Sequence, residues 1–346
     1  MQVLVTGGAG YIGSHTAKAL AAHGITPIVL DDLSTGHAGM VKWGPLVRGN
    51  IGDRDLVRRI TRDYRIDGVI HFAASAYVGE SMHYPRKYFQ NNVVHSLALI
   101  DEVLDAGITN VVFSSSCATY GIPSTLPITE DQQQCPVNPY GESKLFIERA
   151  LGAYAGAYGL NWAALRYFNA AGADPEGQLG EMHDPETHLI PLAIRTALGH
   201  RDALDVFGTD YSTLDGSPVR DFVHVSDLAD AHVRALGYLV AGGPSVALNL
   251  GNGRGYSVKE VVAKVEQIGG RPIPLRMLAR RSGDPPELVA DASLARRTLG
   301  WEPKFTDLSQ VVGNAWTWHN RKIHKSRPLI APDSMMTCAF AHHDRR

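Results

Sequence analysis

Residues Gln2 to His15, QVLVTGGAGYIGSH, constrain the fold of this 346-residue chain more than any other stretch. Residues 3–5 form a short apolar run rich in β-branched side chains, which predicts a buried strand. The glycine-rich residues 7–10 follow at once, and a helix is predicted from Tyr11 to Ala22. The chain therefore begins with a strand, a tight glycine turn and a helix.

The glycines of this turn have distinct physical tasks. The first ones allow a turn with positive φ at no steric cost. Gly10 lets the backbone approach a pyrophosphate, Gly13 lets the helix lie close to the strand, and the helix N-terminus offers free N–H groups to phosphate. Asp31, 18 residues past Gly13 at the end of a second apolar run, is placed to hold ribose hydroxyls. This context favours dinucleotide binding over an ordinary glycine-rich turn. The spacing fits two patterns, G-x-G-x-x-G at Gly8, Gly10 and Gly13 and G-x-x-G-x-x-G at Gly7, Gly10 and Gly13.

Composition excludes several classes of protein. Lys+Arg 33 against Asp+Glu 35 is nearly balanced, so no nucleic-acid partner is expected. No apolar run approaches the roughly 20 residues that span a bilayer, so no membrane partner is expected either. Met1 is followed at once by the first strand, which leaves no space for a signal peptide and predicts a cytoplasmic protein. Three scattered cysteines predict reduced thiols, with neither a disulfide framework nor a metal site.

The first half of the chain alternates strands and helices. This alternation predicts an α/β fold with a doubly wound parallel sheet (Rossmann) and right-handed crossovers. The further predicted strands are Leu46–Gly49, Gly68–Phe72, Asn110–Ser114 and Trp162–Tyr167, and the further predicted helices are Asp53–Tyr64, Pro85–Ala106 and Tyr140–Tyr158.

The character of the chain changes after Asn169, where Gly and Pro become frequent and segments shorten. We predict a dinucleotide-binding domain over residues 1–169, with segments near 220–268 returning to it. A smaller C-terminal substrate lobe is predicted mainly over 170–318, and a disordered tail over 319–346. The strand Val246–Leu250 is expected to rejoin the main sheet, and Val258–Ile268 to form a helix.

A second chemical signal is the pair Tyr140 and Lys144. Four residues apart on a helix, the two side chains share one face, and a lysine ammonium near a phenol predicts a lowered tyrosine pKa and a general base. Ser116 follows a strand and precedes Tyr140 by 24 residues. Ligands of open α/β sheets sit at such strand ends. The alternatives are an exposed tyrosine beside a solvated lysine, and a polar loop after the strand.

A glycine turn, a serine at a strand end and Tyr-x-x-x-Lys, in this order, are the layout of the extended short-chain dehydrogenase/reductase superfamily. Within it, the chain resembles the UDP-glucose 4-epimerase (UDP-galactose 4-epimerase) family over nearly its full length. The segments that carry the resemblance include GGAGYIGSH (7–15), FSSSCATYG (113–121), NPYGESK (138–144), RYFNAAGADPEG (166–177), FGTDYSTLDGSPVRDFVHVSDLADAH (207–232) and ARRSGD (279–284).

The resemblance implies a catalytic trio and a resident NAD. Tyr140 would be base and acid, Lys144 its electrostatic partner and a ribose ligand, and Ser116 a hydrogen-bond relay. An acid at position 31 favours NAD, since it would repel a 2′-phosphate. The implied NAD contacts are Gly7, Gly10, Tyr11, Ile12, Gly13, Asp31, Asn50, Ile51, Phe72, Ala73, Ala74, Asn91, Tyr140, Lys144 and Tyr167.

The resemblance also implies a UDP-sugar substrate and a homodimer, paired through helices 85–106 and 141–158. Guanidinium groups suit a diphosphate. The sequence departs from other members at Asn50, Ala76 and His188, and Leu288 stands where the size of the sugar pocket is set. The implied substrate contacts are Ser116, Tyr140, Asn169, Leu189, Val206, Phe207, Arg220, Arg281 and Asp284.

The implied reaction is interconversion of UDP-glucose and UDP-galactose at C4 through a transient 4-keto sugar. A dehydratase or decarboxylase would need an acid just after Ser116, where residues 117–119 are Cys-Ala-Thr. Three alternatives stay open: a UDP-xylose/UDP-arabinose 4-epimerase, an enzyme acting on both hexose and pentose, and a catalytically silent protein that binds NAD or UDP-sugar.

Overall fold

A computed structural model describes residues 1–281 and 284–326, and its largest layer is a parallel sheet of seven strands. The thirteen strands of the described residues are β1 (Gln2–Thr6), β2 (Thr26–Asp31), β3 (Leu46–Arg48), β4 (Gly68–His71), β5 (Asn110–Ser116), β6 (Asn161–Tyr167), β7 (Asn169–Ala171), β8 (Leu204–Phe207), β9 (Val219–His224), β10 (Val246–Leu250), β11 (Gly255–Ser257), β12 (Leu275–Leu278) and β13 (Glu287–Leu288).

Helices connect most of these strands. Those within the described residues are α1 (Tyr11–Ala22), α2 (Arg54–Tyr64), α3 (Val78–His83), α4 (Pro85–Tyr88), α5 (His95–Asp105), α6 (Pro139–Tyr158), α7 (Leu189–Ala197), α8 (Val225–Val240), α9 (Val258–Gly269), α10 (Ser293–Leu299) and α11 (Leu308–Ser326).

The main sheet has the order β10-β6-β5-β4-β1-β2-β3, and every neighbouring pair is parallel. Helices cover both faces. Leu20 of α1 and the apolar side of α8 pack on one face, and α2, α5 and α6 pack on the other. Strands buried on both faces read as continuous apolar runs, which is why β1 could be recognised from the sequence. The predicted doubly wound fold is confirmed, including the return of Val246–Leu250 to the sheet beside β6.

Two local features differ from the prediction. The helix predicted over Pro85–Ala106 is divided, because a π-helical turn at Phe89–Val94 separates α4 from α5. Within that turn, the Asn92 side chain donates to the backbone oxygen of Ser75 and to Ser143 Oγ. A π-helical turn of this kind (here called the π-turn) changes the direction in which its side chains point, and Asn91 is one of these side chains. The second difference is at β5, which runs two residues further than predicted, to Ser116, and so includes Ser115 and Ser116.

A smaller unit lies beside the main sheet. Strands β7, β9, β11 and β13 form one small sheet and β8 pairs with β12 in another. Helices α7, α9 and α11 enclose a separate apolar core, to which Ile194, Val261 and Val312 belong. The division of the chain into residues 1–169 and 170–318 stays a prediction.

The final helix extends further than expected. Helix α11 continues to Ser326, so the irregular tail does not begin at residue 319. Just before the predicted tail, the Trp318 ring packs in a cluster with Met40, Ala173 and Leu179, and this contact anchors α11 to the rest of the protein. The rest of the predicted tail, residues 327–346, lies outside the described residues. Among the helices that are described, none is long and apolar enough to cross a membrane.

Candidate active site

The glycine turn after β1 has no space for side chains. Gly7 has φ +69°, and its N–H donates to the Leu30 oxygen at 2.9 Å. A Cβ on Gly7 would lie 2.6 Å from the Ala73 nitrogen, and one on Gly13 would lie 2.3 Å from the Gly7 oxygen. Contacts under 3 Å to backbone cannot be relieved by a rotamer change. The glycine at position 13 is thereby explained, because α1 can approach the turn this closely only where position 13 lacks a side chain.

Asp31, the last residue of β2, braces the same turn. Its carboxylate accepts from the Ala9 N–H at 2.9 Å and from the Leu33 N–H at 2.8 Å. Burial raises the pKa of Asp31, against the lowering effect of these two hydrogen bonds. The next acid, Asp32, accepts from Asn50 Nδ2 at 3.1 Å. A pair of carboxylates thus lies beside the turn.

The other residues expected to contact NAD lie along the carboxyl edge of the parallel strands. Tyr11 and Ile12 begin α1, Asn50 and Ile51 follow β3, residues 72–74 follow β4, and Tyr167 ends β6. Asn91 lies in the π-turn and its Nδ2 donates to Ser75 Oγ at 3.3 Å. One edge of one sheet therefore gathers segments that are separated by more than 150 residues in sequence.

Ser116, Tyr140 and Lys144 are brought together at that edge. Ser116 ends β5, and Tyr140 and Lys144 lie on the first turns of α6, which begins at the N-cap Asn138. The Ser116 side chain lies close enough to the Tyr140 phenol to oppose the rise in its pKa. Lys144 Nζ donates to the Ser114 oxygen at 2.7 Å and lies 5.8 Å from the centre of the Tyr140 ring. All three side chains of the trio are buried.

The electrostatics of this trio differ from the sequence expectation. Burial raises the pKa of Tyr140, the nearby Tyr167 raises it further, and the Ser116 side chain only partly opposes them. Burial also lowers the pKa of Lys144 to about 7, against the attraction of Glu148. The expected depression of the Tyr140 pKa by Lys144 is therefore wrong for the protein alone. The physical reason is that both groups have lost water and Lys144 directs its ammonium at a backbone oxygen.

The smaller unit brings together the residues expected to bind substrate. Arg220 of β9 forms an ion pair with Asp284, and the Arg281 guanidinium lies 3.9 Å from the centre of the Phe207 ring. Val206, beside Phe207 in β8, is buried instead in the strand pair.

Three other positions named in the sequence analysis complete this side of the site. Asn169 begins β7 and Leu189 begins α7. Leu288 packs on a small cluster that contains Tyr120 and Phe168. This side is therefore formed by the start of β7, the start of α7 and the half-buried ion pair between Arg220 and Asp284.

Comparison with known proteins decides the family. The NAD dependent epimerase/dehydratase family matches residues 3–251. The UDP-glucose 4-epimerase of Rhizobium meliloti (strain 1021) is 52% identical over 320 residues, covering 92% of this chain and 97% of the relative. The chain belongs to the NAD dependent epimerase/dehydratase family.

Solved structures agree with this membership. UDP-glucose 4-epimerase from Brucella ovis, in complex with NAD, is 52% identical with a TM-score of 0.90, over 91% of this chain and 97% of that one. The enzyme from Stenotrophomonas maltophila, with bound NAD and formylated UDP-arabinopyranose, is 39% identical with a TM-score of 0.91, over 94% and 100% of the two chains. The cofactor of this epimerase/dehydratase family member is NAD.

The residues present fit that cofactor. The turn carries glycine at positions 7, 10 and 13, where a Cβ would press on backbone of the turn itself or of Ala73, and such a tight glycine turn is the form a pyrophosphate cradle takes. Helix α1, whose N-cap is Gly10, offers the N–H groups of its first turn to phosphate. Asp31 and Asp32 supply acceptors for ribose hydroxyls and would repel a 2′-phosphate.

Sequence reasoning missed a buried network behind the trio. Glu148, one helical turn after Lys144, accepts from Arg166 Nη2 at 2.6 Å and from the Ser115 hydroxyl. Arg166 Nη1 also donates to the Tyr120 hydroxyl at 2.8 Å. The sequence signal that could have revealed this network is a glutamate four residues after a lysine, on the helix face turned to the sheet.

A substitution at Gly13 tests the NAD cradle. We expect Gly13→Ala to release several-fold less NAD per chain on denaturation than the parent, because the new Cβ displaces α1 from the turn. Gly156→Ala, at an exposed position of α6 where a Cβ meets nothing within 4 Å, is the matched control. Measurement is by absorbance of released cofactor after exhaustive dialysis. Equal NAD content in parent and Gly13→Ala would contradict the cradle.

A substitution at Lys144 tests its burial. Because the pKa of Lys144 is lowered to about 7 in the folded state, the unfolded chain binds the extra proton above that pH. The cost of burial is therefore complete below pH 7 and disappears as pH rises toward about 10. We expect Lys144→Met to be more stable than the parent by roughly 1–3 kcal/mol at pH 6 in urea denaturation, and by progressively less at pH 8 and 9.5. The exposed Lys87→Met is the control, and a pH-independent gap would contradict the assignment.

Proposed function

We propose that this chain catalyses the NAD-dependent epimerisation of a UDP-sugar at C4, interconverting UDP-glucose and UDP-galactose through a transient 4-keto sugar. The observation that carries the proposal is the convergence of Ser116, Tyr140 and Lys144 at the sheet edge beside the glycine turn. Its support is the 52% identity to a relative named UDP-glucose 4-epimerase.

The trio moves one proton. Tyr140 accepts the proton of the sugar 4-hydroxyl and later returns it, while Ser116 holds the same oxygen by a hydrogen bond. NAD, held by the glycine turn and Asp31, would supply the hydride acceptor for C4 and, once reduced, the donor that returns the hydride to the opposite face of the keto sugar. Lys144 stabilises the phenolate when its ammonium is charged, and Glu148 behind it favours that charged form.

The UDP portion anchors the substrate. Arg220 and Arg281 are the cations that suit a diphosphate, and the Phe207 ring offers a face for a planar base. Anchoring through this remote part leaves the sugar free to turn between the two hydride transfers. Asn169 and Leu189 are the residues we assign to the sugar and diphosphate side.

Two observations bear on the reaction class. The residues that follow Ser116 are Cys117, Ala118 and Thr119, so the strand end carries no acid that could eliminate water from the sugar. The Stenotrophomonas maltophila structure, bound to formylated UDP-arabinopyranose, favours a pentose as a second substrate. We therefore infer an epimerase for hexose, with UDP-xylose and UDP-arabinose as the second candidate pair.

Removal of the phenol oxygen of Tyr140 tests the mechanism. We expect Tyr140→Phe to lower kcat for UDP-galactose conversion by at least about 10²-fold, the low end of general acid–base catalysis, while UDP binding stays within about twofold. Tyr158→Phe, at the exposed end of α6, is the control. Products are resolved by chromatography with UDP-galactose, UDP-xylose and UDP-N-acetylglucosamine supplied in turn. Normal turnover by Tyr140→Phe would disprove the mechanism, and turnover of the pentose alone would transfer the proposal to the second candidate.

We also propose that the enzyme is a homodimer, paired through α4, the π-turn, α5 and α6. Large apolar side chains point outward there: Phe89, Val94 and Phe146 are 42%, 50% and 51% exposed. An exposed apolar surface on packed helices is typical of a subunit interface.

The free thiols Cys117 and Cys135 support a reducing compartment, and we place the protein in the cytoplasm.

Charge on this surface tests the dimer. We expect the parent to sediment as a dimer at micromolar concentration and Phe146→Glu/Val94→Glu to sediment as a monomer, because two pairs of buried carboxylates would oppose association. Leu214→Glu, on a fully exposed loop residue of the smaller unit, should stay dimeric. A parent that sediments only as a monomer removes the proposal.

A further inference from the structure

One cluster of potential ligands lies outside the catalytic trio, on the segment between β7 and α7. It consists of Glu181, His183, Glu186 and His188, whose donor atoms all lie within 4.8 Å of one another. We propose that these four side chains bind a divalent transition-metal ion of the zinc class. No cysteine takes part, which is why counting cysteines indicated no metal site.

The imidazoles are turned toward the carboxylates. His183 Nδ1 lies 2.9 Å from Glu181 Oε1 and 3.8 Å from Glu186 Oε1. His188 Nδ1 contacts the same Glu181 oxygen, and the two imidazole centres are 5.1 Å apart. Both rings thus direct Nδ1 at the same carboxylate, so two nitrogen donors and the carboxylate oxygens are gathered within the reach of one cation.

The carboxylates of the cluster are buried and pair with imidazoles. The Glu181 and Glu186 side chains are only 3% and 2% exposed. Among the described side chains, which are those of residues 1–281 and 284–321, neither carboxylate forms an ion pair with a lysine or arginine, and the cations they contact are the two imidazoles. Buried charges in proteins are paired or coordinate metals, and an imidazole can serve here either as the paired cation or, once deprotonated, as a ligand beside the carboxylates.

One donor atom is left over. His183 Nδ1 is buried, and despite its 2.9 Å approach to Glu181 it has no hydrogen-bond partner among the residues that the structure describes. This nitrogen faces two carboxylate oxygens at ion-pair distance without hydrogen-bond geometry to either, so its lone pair can be offered to a cation instead.

The surrounding structure holds the segment in place. The Trp318 indole donates to the Glu181 backbone oxygen at 3.0 Å, and His37 Nε2 lies 2.7 Å from the Met182 oxygen. The rings of Tyr11 and Tyr77 pack edge-on against His183, with centres 6.2 Å and 6.0 Å away. A site whose ligands are held by second contacts binds metal more tightly.

Donor chemistry selects the ion. Imidazole nitrogen with carboxylate oxygen suits Zn²⁺ and its neighbours rather than Mg²⁺ or Ca²⁺, which prefer oxygen alone. Tetrahedral Zn²⁺ holds its ligand atoms about 3.3 Å apart, and the donor atoms of the cluster, all within 4.8 Å of one another, would rearrange to that spacing on binding. The His188 side chain is 45% exposed, which leaves a path for the ion to enter.

Cobalt and zinc binding to the full-length protein test the site. The chain is treated with a chelating resin and titrated with Co²⁺ while visible absorption is followed, and zinc is counted by elemental analysis after dialysis. We expect one ion per chain and the absorption of tetrahedral Co²⁺. We expect Glu181→Gln and His188→Asn to weaken binding at least about tenfold, the loss that even an outer-shell change causes.

Matched variants identify where the ion binds. His342→Ala/His343→Ala removes two histidines near the C-terminus of the chain and should leave stoichiometry and spectrum unchanged. His188→Asn alters a half-exposed side chain, and an unchanged melting temperature of the metal-free form shows that it folds. Absence of bound metal at micromolar concentration would overturn the proposal. So would binding that survives both cluster variants and is lost in the His342/His343 variant, because the ion would then be adventitious.

Discussion

Helix α1 lies so close to the glycine turn that a Cβ on Gly13 would stand 2.3 Å from the Gly7 oxygen. The site is assembled around this backbone contact. The same turn leaves no space beside Ala73 after β4, and through the Ala9 N–H it is bound to Asp31 at the end of β2. Three neighbouring strand ends are thus locked together, at the edge of the sheet where ligands of open α/β folds bind.

The catalytic trio depends on a second constraint, which is burial. Lys144 is enclosed by Phe113, Tyr140 and the Ser114 backbone oxygen, so its charge is costly in the protein alone. Behind it, the Glu148–Arg166 pair carries the opposite charge into the same interior. A buried ion pair is weak evidence of stability. Its position here holds α6 against β6 and keeps a carboxylate near Lys144, so that Tyr140, Lys144 and Glu148 all lie on one buried face of the helix.

The smaller unit contributes more than a substrate surface. Its segment from Glu181 to His188 reaches back to the ring of Tyr11, on the first turn of α1, and is held there by Trp318 from the last helix. The imidazole and carboxylate cluster therefore connects the start of the chain with its end. A ligand bound there would join the segment before α7 to the first turn of α1.

The sequence alone determined those features that are written in local spacing. Residues 11–22 formed the predicted helix, Val246–Leu250 returned to the sheet, and Tyr140 and Lys144 share a helix face because four residues make about one turn. The glycine at position 13 is equally local, because its Cβ would meet the Gly7 oxygen of the same turn. These features made the fold and the order of the candidate site residues readable in advance.

Tertiary structure decided what depends on partners distant in the chain. The π-turn that aims Asn91, the pairing of Glu148 with Arg166, and the extension of α11 past residue 319 each rest on such contacts. The raised pKa of Tyr140 could not be read from its spacing to Lys144, because burial is a sum over every segment that surrounds the phenol. Periodicity reports which face of an element is apolar, whereas only the folded chain determines what that face meets.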